Sequence, residues 1–424
     1  MNSTNKETRK AVVLWLSGIR LEDISALPAV RTLMEHGAMV ELDPSPITGP
    51  QTQHFQVLSG RLPSRFGFFD TLTPLNRLSS AKQGASGYTV VEQHTGRGAA
   101  PKLLPDLLRA SGWEVEYKVI SPSALVSCVR SCTQSAFSSA TCLIVKCLVE
   151  ARPLEPAVTE AISVALRIAQ AWVGETGLLG LLSDFQPAAV ECFVNVNNFL
   201  AEMGVIEYDE QEDRVNWSNS LAYFMGHGQL WVNLLGRDPQ GAVHPQDEYE
   251  EVRDTLVKAL PVKLRDHKAG AQVIERVYRK EELYSSEYLF CAPDLITVFR
   301  PGYVPSPQGT RLNFDTETFI VPTAGETAIA GAHPSVMNGF LLATAPALAA
   351  GVSVHEHAPL TATAPTLLHA LGVEYADMDA PAVDALFSPS FLETHPVRKD
   401  IQSQELSEED EELVINRLRD LGYI

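Results

Sequence analysis

Histidine is missing from Thr95 to Gly226, and no aspartate lies between Asp106 and Asp184. The middle of the chain therefore lacks the residues that most often bind catalytic metals. Positive charge is scarce as well. The chain has 33 Lys and Arg against 52 Asp and Glu, a formal net charge of −19. Nucleic acids and anionic membranes attract positive surfaces, so neither is an expected partner. Part of the acid is local, in the run Glu405 to Glu412. No apolar stretch reaches the ~18 residues of a membrane helix. Met1 to Lys10 is polar and has no apolar h-region, so no secretory signal is expected, and the expected location is cytoplasmic. Six cysteines in 424 residues do not make a disulfide framework. Cys128, Cys132, Cys142 and Cys147 lack the knuckle spacing of zinc sites and read as buried, reduced thiols.

What is present is globular: 45% apolar and 20% charged residues. Ala11 to Leu16 is a continuous apolar run, the pattern of a buried parallel strand. Val115 to Ile120, Cys142 to Val149 and Leu178 to Leu182 read as further strands. Leu27 to His36, Lys102 to Ala110 and Pro156 to Val173 read as helices between them. Such alternation predicts a doubly wound, mostly parallel α/β sheet. Residues 191–329 are mixed and loop-rich, with a helix at Asp247 to Ala259, and read as an inserted cap. The α/β core is expected at 10–190 and 330–390. An extension at 391–424 should end in a helix, with a capping-box pattern at Ser407 and Asp410, basic Arg417 and Arg419 in the last turn, and a stop at Gly422. Val414, Leu418 and Leu421 recur at helical spacing, as for a helix docked on the domain.

Several motifs then run in a familiar order. They are Asn216-Trp217-Ser218 with Ala222-Tyr223, Val232 through Pro239, Gly241-Ala242-Val243, Cys291-Ala292-Pro293-Asp294-Leu295, Ala364 through Leu368, and the tail from Leu406 to Tyr423. In these the chain resembles the alkaline phosphatase superfamily over nearly its whole length. The nearest branch is the type I phosphodiesterase/nucleotide pyrophosphatase group, with its bacterial phosphohydrolase/phosphomutase-like members.

The resemblance implies two metal ions roughly 4 Å apart, serving in-line phosphoryl transfer. It also implies where their ligands should stand. An aspartate should end the first strand, in a pattern like Leu-Asp-Gly; here the place holds Ser17, in Leu16-Ser17-Gly18. A threonine nucleophile should lie about ten residues before a Thr-Gly-x-x-Pro turn. Here that turn is Ser59-Gly60-Arg61-Leu62-Pro63, and counting back from Gly60 reaches Pro50. Thr48 fits the local Thr-Gly-Pro pattern, and Thr52 is the other candidate. The His-Gly after the turn is Phe66-Gly67. The aspartate and histidine expected after the strand at Cys142 are absent, and Lys146 lies there instead. Ser-Asp-His-Gly reads Ser183-Asp184-Phe185-Gln186. The last ligand histidine fits His333.

Of the Asp and His ligands implied by the resemblance, Asp184 and His333 remain. They would serve different metals, so no catalytic metal and no other cofactor are expected. The candidate site residues are Ser17, Thr48, Asp184 and His333. Asp184 reads as a relic ligand, a general base or an ordinary turn residue. His333 faces the cleft or sits in a loop. Lys146 either fills the vacated charge beside Asp184 or reaches solvent. Phe185 either makes the cleft more apolar or is an ordinary core aromatic. His54, two positions after Thr52 on any helix there, faces away from it. Three functions stay open: a non-hydrolytic binding or assembly component, a pseudoenzyme whose cleft takes a small molecule or a protein partner; an enzyme running a metal-independent reaction; or a residual phosphodiesterase or phosphatase.

Overall fold

The computed structural model describes residues 9–45, 49–69, 72–74, 90–92, 101–135, 140–149, 153–209, 214–266, 268–306, 319–328 and 333–398. Thr48 and the expected C-terminal helix lie outside the described residues.

The apolar runs become the central strands. β1 is Arg9–Ser17, buried from Ala11 onward. It is followed by α1 (Pro28–His36), β2 (Ala38–Asp43), α2 (Pro50–Ser59), α3 (Leu104–Ala110) and β3 (Glu114–Ile120). Then come α4 (Leu125–Ser135), β4 (Ala140–Leu148), α5 (Pro156–Val173) and β5 (Leu178–Ser183). The insert contributes α6 (Asp247–Lys263), β6 (Ile274–Arg279) and β7 (Leu295–Phe299). The chain then returns through β8 (Gly339–Thr344), β9 (Val352–Pro359) and α7 (Thr363–Ala370).

The seven-stranded sheet has the order β9-β2-β8-β5-β1-β4-β3. β1 pairs in parallel with β4 and β5, β3 with β4, and β2 with β9. Only β8 runs against its neighbours, β2 and β5. Helices cover both faces. One face packs Trp15, Val13 and Ile144 against Val57 and Leu58 of α2, Leu108 of α3 and Leu367 of α7. The other packs Leu14, Leu16 and Val145 against Val30 of α1, Val129 of α4 and Leu166 of α5. Cys142 and Cys147 are buried in β4, whereas Cys128 and Cys132 are only half-buried on α4; all six cysteines are free thiols.

Between β5 and β8 the chain builds a second core. A four-stranded sheet formed by 222–224, 229–232, β6 and β7 packs under α6, with Phe224, Trp231, Leu256 and Phe299 inside. Its centre is an ionic network made from the motifs that carry the sequence resemblance. Arg237 donates through both terminal nitrogens to the two Asp294 oxygens, each at 2.8 Å. Tyr249 Oη donates to Asp294 at 2.7 Å, as does the Val232 backbone N–H at 2.8 Å. Burial acts to raise the Asp294 carboxyl, but Arg237 and Lys280 outweigh it and hold it well below the usual carboxylate range.

Candidate functional site

In this sheet Ser17, Lys146 and Asp184 all come to the C-terminal ends of parallel neighbours, where α/β folds gather their ligand sites. β1 lies between β4 and β5, with Trp15 in register with Lys146 on one side and Leu182 on the other. Ser17 ends β1 and is followed by Gly18 at φ +80°, which donates its N–H to the Phe185 carbonyl at 3.1 Å. A Cβ at Gly18 would stand 2.9 Å from the Val149 carbonyl oxygen, so the turn needs glycine.

Lys146 and Trp15 point to the α2 side of the sheet. The Lys146 ammonium lies 3.9 Å from the centre of the Trp15 ring, a cation–π contact. It donates to Asp184 Oδ2 at 3.4 Å and faces His54 Nδ1 at 2.8 Å. Asp184 is fully buried and the Lys146 side chain is 12% exposed, so the lysine fills the charge beside Asp184 and does not reach out to solvent. The His54 ring stacks on Trp15 at 5.0 Å and meets the Tyr117 hydroxyl through Nε2 at 3.1 Å. An ammonium has only donors, so His54 Nδ1 accepts and the ring proton belongs on Nε2, toward Tyr117.

Burial lowers the His54 imidazole to about 4, the Lys146 charge adds to this, and Asp184 opposes it. Burial also lowers Lys146, against the pull of Asp184. Burial, with Asp184 nearby, raises the Tyr117 phenol. Ser17 Oγ, Thr52 Oγ1 and Asp184 Oδ1 are buried with no hydrogen-bond partner among the described residues. A buried polar atom without a partner is costly, so each of these three calls for a further hydrogen-bonding group.

The His54 shift has a consequence for stability. Its folded pKa lies below the ordinary value of 6.5, so the unfolded chain takes up the proton first. Stability from this group is complete above about 6.5 and falls as pH drops toward about 4. The loss should reach about 3 kcal/mol. Urea titrations from pH 8 to 4 on the protein and on His54→Gln should differ by this slope. Parallel pH profiles would show that His54 is not held neutral.

His333 belongs to a different part of the same sheet edge. Its Nε2 faces Glu275 Oε2 of β6 at 3.3 Å, and its Nδ1 takes Ser335 Oγ at 2.7 Å. No polar contact joins it to Ser17, Thr52 or Asp184 among the described residues. Phe185 packs with Ala188, Val190, Val304 and Met337, as a core aromatic would. Trp15 and Tyr117 join the site with no motif to announce them. Tyr117 had one weak signal, the alternation Glu114-Val115-Glu116-Tyr117 of an edge strand.

No protein-family model matches the chain, and no curated protein matches it. Solved structures do. Human ectonucleotide pyrophosphatase/phosphodiesterase 5 superposes with a TM-score of 0.53 at 13% identity, over 91% of this chain and 99% of that one. The murine protein gives 0.54 at 14% identity, over 90% and 100%. An inactive variant of the murine protein in complex with AMP gives 0.52 at 14% identity, over 86% and 96%. Over nearly its whole length, therefore, the chain has the alkaline phosphatase-like fold of the nucleotide pyrophosphatases/phosphodiesterases.

Proposed function

We propose that this protein is a non-hydrolytic, metal-independent binding component built on a phosphodiesterase fold, working in the cytoplasm. The observation that carries this reading is Lys146, a buried ammonium held between Asp184, His54 and the Trp15 face. The fold family implies two dications at this sheet edge, and the residues present do not fit them. Asp184 Oδ2 and His54 Nδ1 are both engaged by the ammonium. Ser17 offers a neutral hydroxyl, and the place after Asp184 is a buried phenyl ring. Among the described residues no three His, Cys, Asp or Glu side chains form a metal-binding group. A fixed lysine charge can hold part of an anion but cannot generate a metal-bound nucleophile. The unpartnered atoms of Ser17, Thr52 and Asp184 supply hydrogen-bonding capacity for a small polar ligand. The likeness to a structure holding AMP favours a phosphate-bearing one.

Purified protein should hold less than one zinc, manganese or iron per chain and should leave nitrophenyl phosphate mono- and diesters intact. It should still bind AMP in calorimetry. The neutral double variant Lys146→Met/Asp184→Asn should lose that binding. Ester hydrolysis that follows added zinc and disappears in Asp184→Asn would overturn the proposal. A metal-free reaction is the second reading, favoured by the Lys146–His54 contact, which sets a neutral imidazole beside a charged ammonium. An activity lost in both Asp184→Asn and His54→Gln, with the fold intact, would select it.

A further inference from the structure

A separate cleft of about 320 Å³ opens at the same sheet edge, on the strands β8, β2 and β9, with β1 and β5 lying between them and the Lys146 strand. One wall is the core: Asp43 at the end of β2, the His333–Asn338 segment before β8, and His357 of β9. The other is the insert: Glu275 and Tyr278 of β6, with Leu283, Ile296 and Val298 as an apolar floor. Its volume lies within the range of small-molecule sites.

Asn338 gives the cleft a direction. The residue is 8% exposed. Its amide nitrogen donates to Glu41 Oε2 at 3.4 Å and faces His357 Nδ1 at 3.0 Å. A carboxylate accepts only, so this contact fixes which end of the amide is nitrogen. Asn338 Oδ1 is then buried with no partner among the described residues, an acceptor waiting for a donor. The charged groups point to the same kind of ligand. Asp43 accepts from the Ser45 backbone N–H at 2.8 Å and pairs with no cationic side chain among the described residues. Glu275 stands on the opposite wall, touched by His333. The one arginine of the lining, Arg276, is tied to Glu282 at 3.1 Å and lies over the Tyr278 ring at 4.2 Å. His357 is turned to Glu41 at 3.2 Å. The cleft thus presents acceptors on both walls and methylene-compatible surface between them.

We propose that this cleft is a binding site for a small aliphatic diamine. One ammonium would donate to Asp43 and Asn338 Oδ1, the other to Glu275, with the methylene chain along Leu283, Ile296 and Val298. The chemistry favours an organic cation over a metal ion, because the described residues form no metal-binding group. The inference does not depend on the Lys146 site.

Calorimetry on the full chain with cadaverine tests it. Cadaverine should bind one per chain, 1-aminopentane about tenfold or more weakly, and 1,5-pentanediol not measurably. Asp43→Asn and Asn338→Leu should each weaken cadaverine by about tenfold or more. Asp43 is only half-buried, so Asp43→Asn keeps the test alive if Asn338→Leu fails to fold. Lys146→Met/Asp184→Asn should bind cadaverine normally while losing AMP, which separates this site from the one proposed above. No cadaverine binding, binding equal to that of the diol, competition by AMP, or binding indifferent to both cleft variants would overturn the proposal.

Discussion

Lys146→Ala should lower the free energy of unfolding by about 3–5 kcal/mol, the usual loss when one member of a buried ion pair is removed. Asp184 is fully buried, and Lys146 is the cation beside it. Without the ammonium, the fully buried carboxylate is left without its cationic partner. His54 loses its donor at the same time, and the Trp15 face loses its cation. The pair itself contributes far less than its rupture costs, because desolvation offsets most of its attraction. Lys146→Met/Asp184→Asn should therefore recover most of the loss. Urea unfolding of the two single variants and the double variant completes the cycle. A single-variant loss under about 1 kcal/mol would mean that water reaches Asp184, and Lys146 would then be a surface lysine after all.

The strands that hold this pair were plain in the sequence, and the pair was only half so. β1, β4 and β5 are continuous apolar runs, because both faces of the parallel sheet are covered and no alternation is needed. α5 matches the expected Pro156–Val173, and α6 begins as expected at Asp247 and runs on to Lys263 through Pro261. α2 was harder to read. It starts with Pro50 after Gly49, and it buries the polar Thr52, Gln53 and Gln56, so its inner face does not look apolar. The antiparallel direction of β8 carries no local signal either, since a buried strand reads the same both ways.

Position in the chain placed Lys146 near Asp184. It could not place His54 or Tyr117 there. Those contacts join residues 92 and 63 positions apart, and they exist only once the order β1-β4-β3 and its register are fixed. The cleft beside His333 is less legible still, since its walls come from β2, β6, β7, β9 and the turn before β8.

Arg237 and Asp294, from two of the motifs that carry the resemblance, tie the insert together, and Asp294→Ala should show it. Asp294 is fully buried and takes both terminal nitrogens of Arg237, the Tyr249 hydroxyl and the Val232 N–H. Lys280 adds a further contact at 3.3 Å. Removing the carboxylate leaves the nearly enclosed Arg237 beside Asp238 alone, and strands Tyr249 and the Val232 N–H without their acceptor. The expected loss is about 3–5 kcal/mol. It should fall on the insert first, because the network joins α6, β7 and the 229–232 strand and touches no strand of the large sheet. The Trp231 ring lies 5.4 Å from the Arg237 guanidinium, so the part of the fluorescence that Trp231→Phe removes reports the local transition. Urea unfolding followed at Trp231 should shift to lower concentration in Asp294→Ala. Arg237→Met/Asp294→Leu, which removes both charges, should shift less than the single variant. If the double variant proves the worse of the two, the remaining bonds of Arg237 to Asp238 and the Val232 carbonyl hold the insert more than the Asp294 pair does.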